Sequence, residues 1–111
     1  MVRSLDIERA RLFYQRMGLS FVKHAHGAGP EHYTSEANGF VFEIYPARSN
    51  DAVTRHVRIG FEVDNVDAAL AALLEAEAVI LSKPADSQWG RRAVVKDFEG
   101  RAVELVASVY P

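Results

Sequence analysis

The sequence predicts an α+β fold in which one unit, made of a strand, a helix and further strands, occurs twice. Two stretches, residues 6–18 and 64–77, have the apolar periodicity of amphipathic helices. Segments of alternating polarity, which are typical of strands, precede and follow each helix. Residues 46–55, PARSNDAVTR, lack both patterns and separate the two copies. Because an amphipathic helix needs a surface to cover, we expect each helix to lie on one face of a sheet.

Both predicted helices have recognisable ends. Asp6 is an expected N-cap of the first helix, and Gly18 is placed to end it in a left-handed conformation. Asp64 or Asn65 can cap the second helix. The predicted apolar faces are Ile7, Ala10, Phe13, Tyr14 and Met17 in the first helix, and Val66, Ala69, Leu70, Leu73 and Leu74 in the second.

The predicted strands begin with a short one, Val2 to Leu5, before the first helix. The others are residues 21–26, 31–36, 40–45, 56–63, 91–98 and 101–108. Asn38-Gly39 is typical of a tight hairpin, and Glu99-Gly100 is its counterpart in the second copy. We interpret residues 83–88, KPADSQ, as a polar loop, so the second copy has two or three strands after its helix.

A glutamate occupies the same place in the last strand of each copy. Gly39 precedes Glu43 by four residues, and Gly100 precedes Glu104 by the same number. Side chains alternate between the faces of a strand, so these glutamates are predicted to point away from the helices. The predicted helix-free faces contain Val41, Glu43, Tyr45, Arg58, Gly60, Glu62, Ala102, Glu104 and Val106, and the opposite faces contain Phe40, Phe42, Ile44, Val57, Ile59, Phe61, Val63, Val103 and Leu105. Such a mixed face is explained either by exposure to solvent or by ligand binding.

Composition excludes several classes of partner. With 111 residues, 49% hydrophobic and 25% charged, the chain suits one compact domain. A net charge of −2 gives no general reason to bind nucleic acid or an anionic membrane. The absence of cysteine excludes disulfides, thiolate metal sites and thiol nucleophiles. The charged N-terminus and the lack of any apolar run of about 18 residues lead us to expect a soluble, cytoplasmic protein.

Several segments, by their order and spacing, resemble the glyoxalase, bleomycin-resistance and extradiol-dioxygenase superfamily, also called vicinal oxygen chelate proteins. They are Leu5 to Ala10 running to Phe13-Tyr14, FEIY at 42–45, FEVDNVDAALAALL at 61–74, Trp89-Gly90, and Asp97 to Gly100 leading to Val103-Glu104-Leu105. The resemblance covers essentially the whole chain. It implies paired βαβββ modules whose mixed sheets form a cup, with the helices outside and a ligand inside, and it implies a homodimer. It predicts one domain over residues 1–111, with module one at 1–46, a linker at 47–55 and module two at 56–111.

The resemblance also implies where a metal would bind. Metal-dependent members use one side chain from each of four strands, and Glu43 and Glu104 resemble the two carboxylate positions. The histidine of the second module aligns with Arg58, whose protonated guanidinium cannot ligate a metal. The ligand of the first strand would fall upstream of Met1. We therefore expect no metal and no other cofactor, with Arg58 as the cation that partners both glutamates.

The histidines and the single tryptophan are weaker candidates. His24 and His26 share a strand face at a spacing seen in metal sites, although exposed polarity explains them more simply. His56 is a reserve ligand in a different register, and His32 is placed to line the edge of a cleft. Trp89 is expected either to form an aromatic wall for a ligand or to pack at a dimer seam.

Two functions remain after these exclusions, since no nucleophile elbow, phosphate loop, dinucleotide fingerprint or HExxH motif is present. In the first, the chain captures an aromatic or amphipathic small molecule in the sheet cleft, as the bleomycin-resistance branch implies. In the second, it is a lyase, isomerase or dioxygenase-type enzyme with a glutamate as general base or metal ligand. The departures at the metal positions favour binding. The predicted ligand-binding residues are Glu43, Tyr45, Arg58, Trp89 and Glu104, and no residue is assigned as catalytic.

Overall fold

The structure is a computed structural model that describes residues 1–25, 27–37 and 39–108. These residues form two compact units, one from Met1 to Thr54 and one from Arg55 onward. Each unit has the order strand, helix and three strands, which confirms the predicted repeat. Two four-stranded mixed sheets with two helices also confirm the predicted α+β class.

The described residues of the first unit form four strands and one α-helix. They are β1 (Val2–Ser4), α1 (Ile7–Gln15), β2 (Val22–His24), β3 (His32–Ala37) and β4 (Phe40–Pro46), followed by a 3-10 helix at Asn50–Ala52. The sheet order is β1-β4-β3-β2, in which β1 is parallel to β4 and the other pairs are antiparallel. The backbone amide of Arg9 donates to the Asp6 carboxylate at 3.0 Å, and Gly18 has a φ of +107°, so both predicted ends of α1 are confirmed.

The second unit repeats this arrangement. Its elements are β5 (Arg58–Glu62), α2 (Val66–Leu74), β6 (Val79–Ser87), β7 (Gly90–Lys96) and β8 (Ala102–Ser108). The sheet order is β5-β8-β7-β6, with β5 parallel to β8. Asn65 caps α2, since its side-chain oxygen accepts from the amide of Ala68 at 2.9 Å. Glu77, with a φ of +67°, takes the left-handed position that Gly18 takes after α1.

The predicted polar loop at residues 83–88 is wrong, because residues 83–87 belong to strand β6. This strand lies at the edge of its sheet, where Pro84 is tolerated because an outward backbone group needs no partner strand. Its pairing with β7 shifts register between Ile80 and Ser82 and again between Ser82 and Ala85. The polar composition of this segment therefore reflects an exposed and irregular edge rather than a loop.

Each helix packs on one face of its sheet, but the two cores differ in chemistry. The core of the first unit is aromatic: Tyr14 of α1 is fully buried, and its ring lies 5.1 Å from that of Phe42. The core of the second unit is aliphatic, with Val66, Leu70, Leu73, Val95, Val103 and Leu105 buried. Three predicted apolar-face positions are wrong, since Phe40 is 81% exposed at the start of β4, Val57 is 37% exposed just before β5, and Leu74 is 42% exposed at the end of α2.

The turns that lead into the last strands have glycines where a left-handed backbone is needed. Gly39 has a φ of +82° and Gly100 a φ of +99°, so glycines at equivalent positions allow the same left-handed turn in the two units. Asn38, the other half of the predicted hairpin dipeptide, and His26 lie outside the described residues. None of the helices within the described ranges has the length and apolarity needed to cross a membrane.

Candidate functional site

The helix-free face of the first sheet is called the first face below. Its residues include Arg3 from β1, His24 from β2, His32 and Thr34 from β3, and Glu43 and Tyr45 from β4. Strand register places Arg3 beside Tyr45 and His24 beside His32. The four side chains form one row across the sheet, which the sequence could not show without the register.

Aromatic stacking organises this row. The rings of Tyr45 and His32 are parallel to within 8°, with their centroids 4.1 Å apart, and His32 is 2% exposed. The guanidinium of Arg3 lies 5.7 Å from the centroid of the Tyr45 ring, a distance that suits a cation–π contact. The ring of His24 lies 5.8 Å from that of His32. Tyr45, a predicted ligand-binding residue, is thus fixed in place by a buried neighbour.

Glu43, also a predicted site residue, lies next to this row. Its Oε2 accepts from the hydroxyl of Thr34 at 3.4 Å and lies 3.7 Å from Nε2 of His32. The other ring nitrogen, Nδ1, lies 3.3 Å from the carbonyl oxygen of Pro30. Glu43 forms an ion pair with His32 only when the imidazole is protonated, so its partners are a hydroxyl and an imidazole ring.

The helix-free face of the second sheet, called the second face, has Glu104 at its centre. Arg58 donates from Nε and Nη2 to Oε2 of Glu104 at 2.9 and 2.7 Å. Arg92 donates from Nε to Oε1 at 3.2 Å, and its Nη2 lies 3.2 Å from Oε2. The guanidinium groups of Arg92 and Arg58 lower the pKa of Glu104, although partial burial opposes this effect. Both oxygens of this carboxylate therefore already have cationic partners.

The sequence led us to expect that Arg58 partners both Glu43 and Glu104. The ion pair between Arg58 and Glu104 agrees with this expectation, and a contact between Arg58 and Glu43 stays a prediction. Sequence reasoning missed Arg92. Strand alternation puts Arg92 on the same face as Val94, and the pairing of Val94 with Glu104 in the structure then brings Arg92 to this carboxylate. What the sequence did not give was the register between β7 and β8.

The second face does not fit the metal site that the resemblance implies. A guanidinium occupies the position of the expected histidine and donates to the carboxylate that would have to ligate the ion. A metal at Glu104 would have to displace two arginines. In the part of the chain that the structure describes, no three His, Asp or Glu side chains are grouped so that they could hold a metal ion.

Trp89, the remaining predicted site residue, lies in the turn between β6 and β7 and is 73% exposed. Its backbone amide donates to Oγ of Ser87 at 3.1 Å, and the same hydroxyl donates to the carbonyl oxygen of Gly90 at 2.8 Å. The turn is therefore held by hydrogen bonds while the indole projects into solvent.

A cavity of about 610 Å³ adjoins the first face at the end of β4. Its lining includes Arg3, Pro30, Tyr45, Pro46 and Arg48. The volume falls within the range of roughly 300–1,000 Å³ that is usual for small-molecule sites. Tyr45 thus belongs both to the aromatic row and to the cavity.

The chain belongs to the Glyoxalase/Bleomycin resistance protein/Dioxygenase superfamily, whose profile matches residues 1–105. No curated protein sequence matches it. It is similar to a solved glyoxalase/bleomycin resistance protein from Albidiferax ferrireducens T118, with 19% identity, a TM-score of 0.75, and coverage of 96% of this chain and 93% of that one. It is also similar to TnmS3, an antibiotic binding protein from Streptomyces sp. CB03234, with 23% identity, a TM-score of 0.70, and coverage of 96% and 90%. At these identities the two structures show a shared fold.

Proposed function

We propose that this chain is a metal-free small-molecule-binding protein that captures an aromatic or amphipathic ligand on the helix-free faces of its sheets. The observation that supports this most directly is the parallel stack of Tyr45 on the buried His32 ring beside a cavity of about 610 Å³. A rigid aromatic side chain offers contact area at little entropic cost, which favours recognition of flat ligands. TnmS3, a protein of the same fold, is an antibiotic binding protein, which is consistent with this class of ligand.

In this proposal the predicted site residues have distinct roles. Tyr45 provides an aromatic wall, and Glu43, which is one-third exposed, accepts a hydrogen bond from a ligand N–H or O–H group. Arg58 and Glu104 form a polar anchor whose charges largely satisfy each other. Trp89 provides a second, exposed aromatic surface.

A thermal-shift screen with aromatic antibiotics, on protein purified without added metal, tests this proposal. A ligand that binds only the folded state raises the melting temperature. Tyr45→Ala should abolish that rise, whereas Phe40→Ala, which removes an exposed aromatic ring from the start of the same strand, should keep it. Equal binding by Tyr45→Ala and the parent protein, or no binding of any aromatic compound, would contradict the proposal. Stoichiometric metal in the purified protein would contradict its metal-free part.

A second candidate, a lyase or isomerase, is favoured by one observation, the placement of Glu43 beside His32 at 3.7 Å. A general base needs an accessible carboxylate near a group that can pass the proton on. Glu104 suits this role less, because the neighbouring arginines lower its pKa and so weaken it as a base. Glu43→Gln should abolish turnover of a ligand found in the screen while leaving its binding measurable, if this second candidate is correct.

The homodimer and the cytoplasmic location expected from the sequence are also part of the proposal. The short edge strand β1 gives this dimer little support, because the backbone of Arg3 exchanges hydrogen bonds with Thr54 and so partly covers that edge. Edge strand β6 gives better support: Val79, Ile80 and Leu81 are 56%, 38% and 50% exposed there. An exposed apolar edge favours association with another strand. Sedimentation that shows only monomer at micromolar concentration would contradict the dimer.

A further inference from the structure

The cavity of the first unit has a cationic lining. Arg3 and Arg48 both line it, together with Tyr45 and small or apolar side chains that include Pro30 and Pro46. Among the lining residues that belong to the described part of the chain, none has a carboxylate. Two guanidinium groups in a partly enclosed space favour a ligand with negative charge.

Arg3 is held in position by the surrounding backbone. Its Nη1 donates to the carbonyl oxygen of Pro46 at 3.2 Å, and its own backbone amide donates to the hydroxyl of Thr54 at 2.9 Å. The guanidinium also lies 5.7 Å from the centroid of the Tyr45 ring. A planar cation fixed in this way loses little freedom when it binds an anion, so binding is favoured.

Arg48 differs from Arg3 because it is exposed and follows β4 by two residues. It lies in the segment after the strand and lines the same cavity as Arg3 and Tyr45. Because the guanidinium fork matches the two oxygens of a carboxylate, Arg48 can close over an anionic group that Arg3 attracts.

We infer that this cavity selects an aromatic carboxylate, with the ring against Tyr45 and the carboxylate between Arg3 and Arg48. The inference rests on the proposed function, because Tyr45 belongs to both sites, and it adds the charge of the ligand. The prolines complete an apolar wall for the ring, while the arginines distinguish the anion from a neutral molecule of the same shape.

Isothermal titration of the parent protein with 1-naphthoate and with its neutral analogue 1-naphthamide tests the inference. We expect naphthoate to bind at least about tenfold more tightly than the amide, since a charge-assisted hydrogen bond strengthens binding by roughly a factor of ten. Arg48→Gln should weaken naphthoate binding by about tenfold and leave amide binding unchanged. Arg9→Gln removes an exposed arginine from α1, away from the cavity lining, and should bind both compounds like the parent protein.

Failure of this inference is distinguishable from failure of the proposed function. Equal affinity for naphthoate and naphthamide, with both lost in Tyr45→Ala, would overturn the anion preference and support aromatic binding. Naphthoate affinity that is unchanged in Arg48→Gln, or no naphthoate binding at all, would also overturn it. The proposed function itself fails if the wider screen of aromatic compounds is negative, or if Tyr45→Ala binds its ligand as tightly as the parent protein does.

Discussion

The two units have a glutamate at the same position of their last strand and surround it with different partners. Glu104 accepts hydrogen bonds from Arg58 and Arg92, whereas Glu43 lies beside the imidazole of His32. Arg92 and His32 occupy equivalent places: Arg92 pairs with the residue two positions after Glu104, and His32 stacks on the residue two positions after Glu43. The two units therefore share the glutamate and differ in the basic side chain beside it, which is a histidine in the first unit and an arginine in the second.

This difference separates a pair that is always charged from a pair that is charged only when a histidine is protonated. On the second face the guanidinium groups stay charged at any ordinary pH, so Glu104 and its arginines mostly satisfy one another. On the first face Glu43 has a hydroxyl and an imidazole as partners and keeps more capacity to bind a ligand. The comparison therefore makes the first face the stronger candidate for recognition.

The largest effect is expected in the turn that leads into β8. Oδ2 of Asp97 accepts from Nη1 of Arg101 at 2.8 Å, and Nη2 of Arg101 donates to Glu99 at 2.8 Å. Arg101 is fully buried and Asp97 is 3% exposed. Asp97→Ala removes one of the carboxylates that neutralise the buried guanidinium of Arg101. We therefore expect the free energy of unfolding to fall by about 3–5 kcal/mol, as measured by urea denaturation.

Asp86→Ala is the matched control for this prediction. Asp86 pairs with Arg91 at 3.0 Å in the same unit, but its side chain is 82% exposed. Water replaces the lost partner of Arg91, so the free energy of unfolding should hardly change. Similar losses in the two variants would show that the buried network contributes no more than a surface pair.

An intermediate effect is expected when each glutamate is replaced by glutamine at pH 7. Glu104→Gln removes the charge that two arginines share, and because these side chains are partly exposed we expect a loss of about 1 kcal/mol in the free energy of unfolding. Glu43→Gln should cost less, since its partners are Thr34 and an imidazole. A larger loss from Glu43→Gln would reverse the comparison between the faces.

The pH dependence of the Glu104→Gln effect gives a second measurement. The arginines lower the pKa of Glu104 below its ordinary value of 4.5, so near that pH the folded state binds fewer protons than the unfolded state. The stabilisation is present above pH 4.5 and is lost as the pH falls through the lowered pKa of the folded state. The difference in melting temperature between the parent protein and Glu104→Gln should therefore shrink as the pH is lowered. A difference that stays constant would show that the lowered pKa of Glu104 is not its cause.

Local signals in the sequence predicted much of the fold. Asp6 and Gly18 define the ends of α1 through their own side-chain and backbone preferences, and no distant contact is needed to identify them. Strand alternation likewise predicted a helix-side position for Phe42, which packs on Tyr14. These features depend on residues close together in the chain, which is why one sequence is enough to find them.

Features that depend on register or on sheet edges were missed. The β6 segment contains Pro84 and polar side chains, and only its place at an edge makes it a strand. The stack of His32 on Tyr45 and the contact of Arg92 with Glu104 both join different strands. Alternation predicts the face of each side chain, but its neighbour across the sheet depends on how the turns align the strands.

The smallest expected effect comes from giving the second unit the type of base that the first unit has. Arg92→His replaces a permanent cation beside Glu104 with an imidazole, while Arg58 still donates to the same carboxylate. A histidine next to a carboxylate gains a raised pKa in the folded state, so its stabilisation is present below the unfolded pKa of about 6.5 and is lost as the pH rises through the folded value. At about pH 8.5 we expect the free energy of unfolding of Arg92→His to be roughly 0.5 kcal/mol lower than that of the parent protein, and at about pH 5.5 most of this loss should be recovered.

Arg92→Gln, which cannot titrate, is the control and should show the same loss at both pH values. Urea denaturation of the three proteins at the two pH values measures the differences, and identical behaviour of the histidine and glutamine variants would mean that the charge at position 92 does not stabilise Glu104.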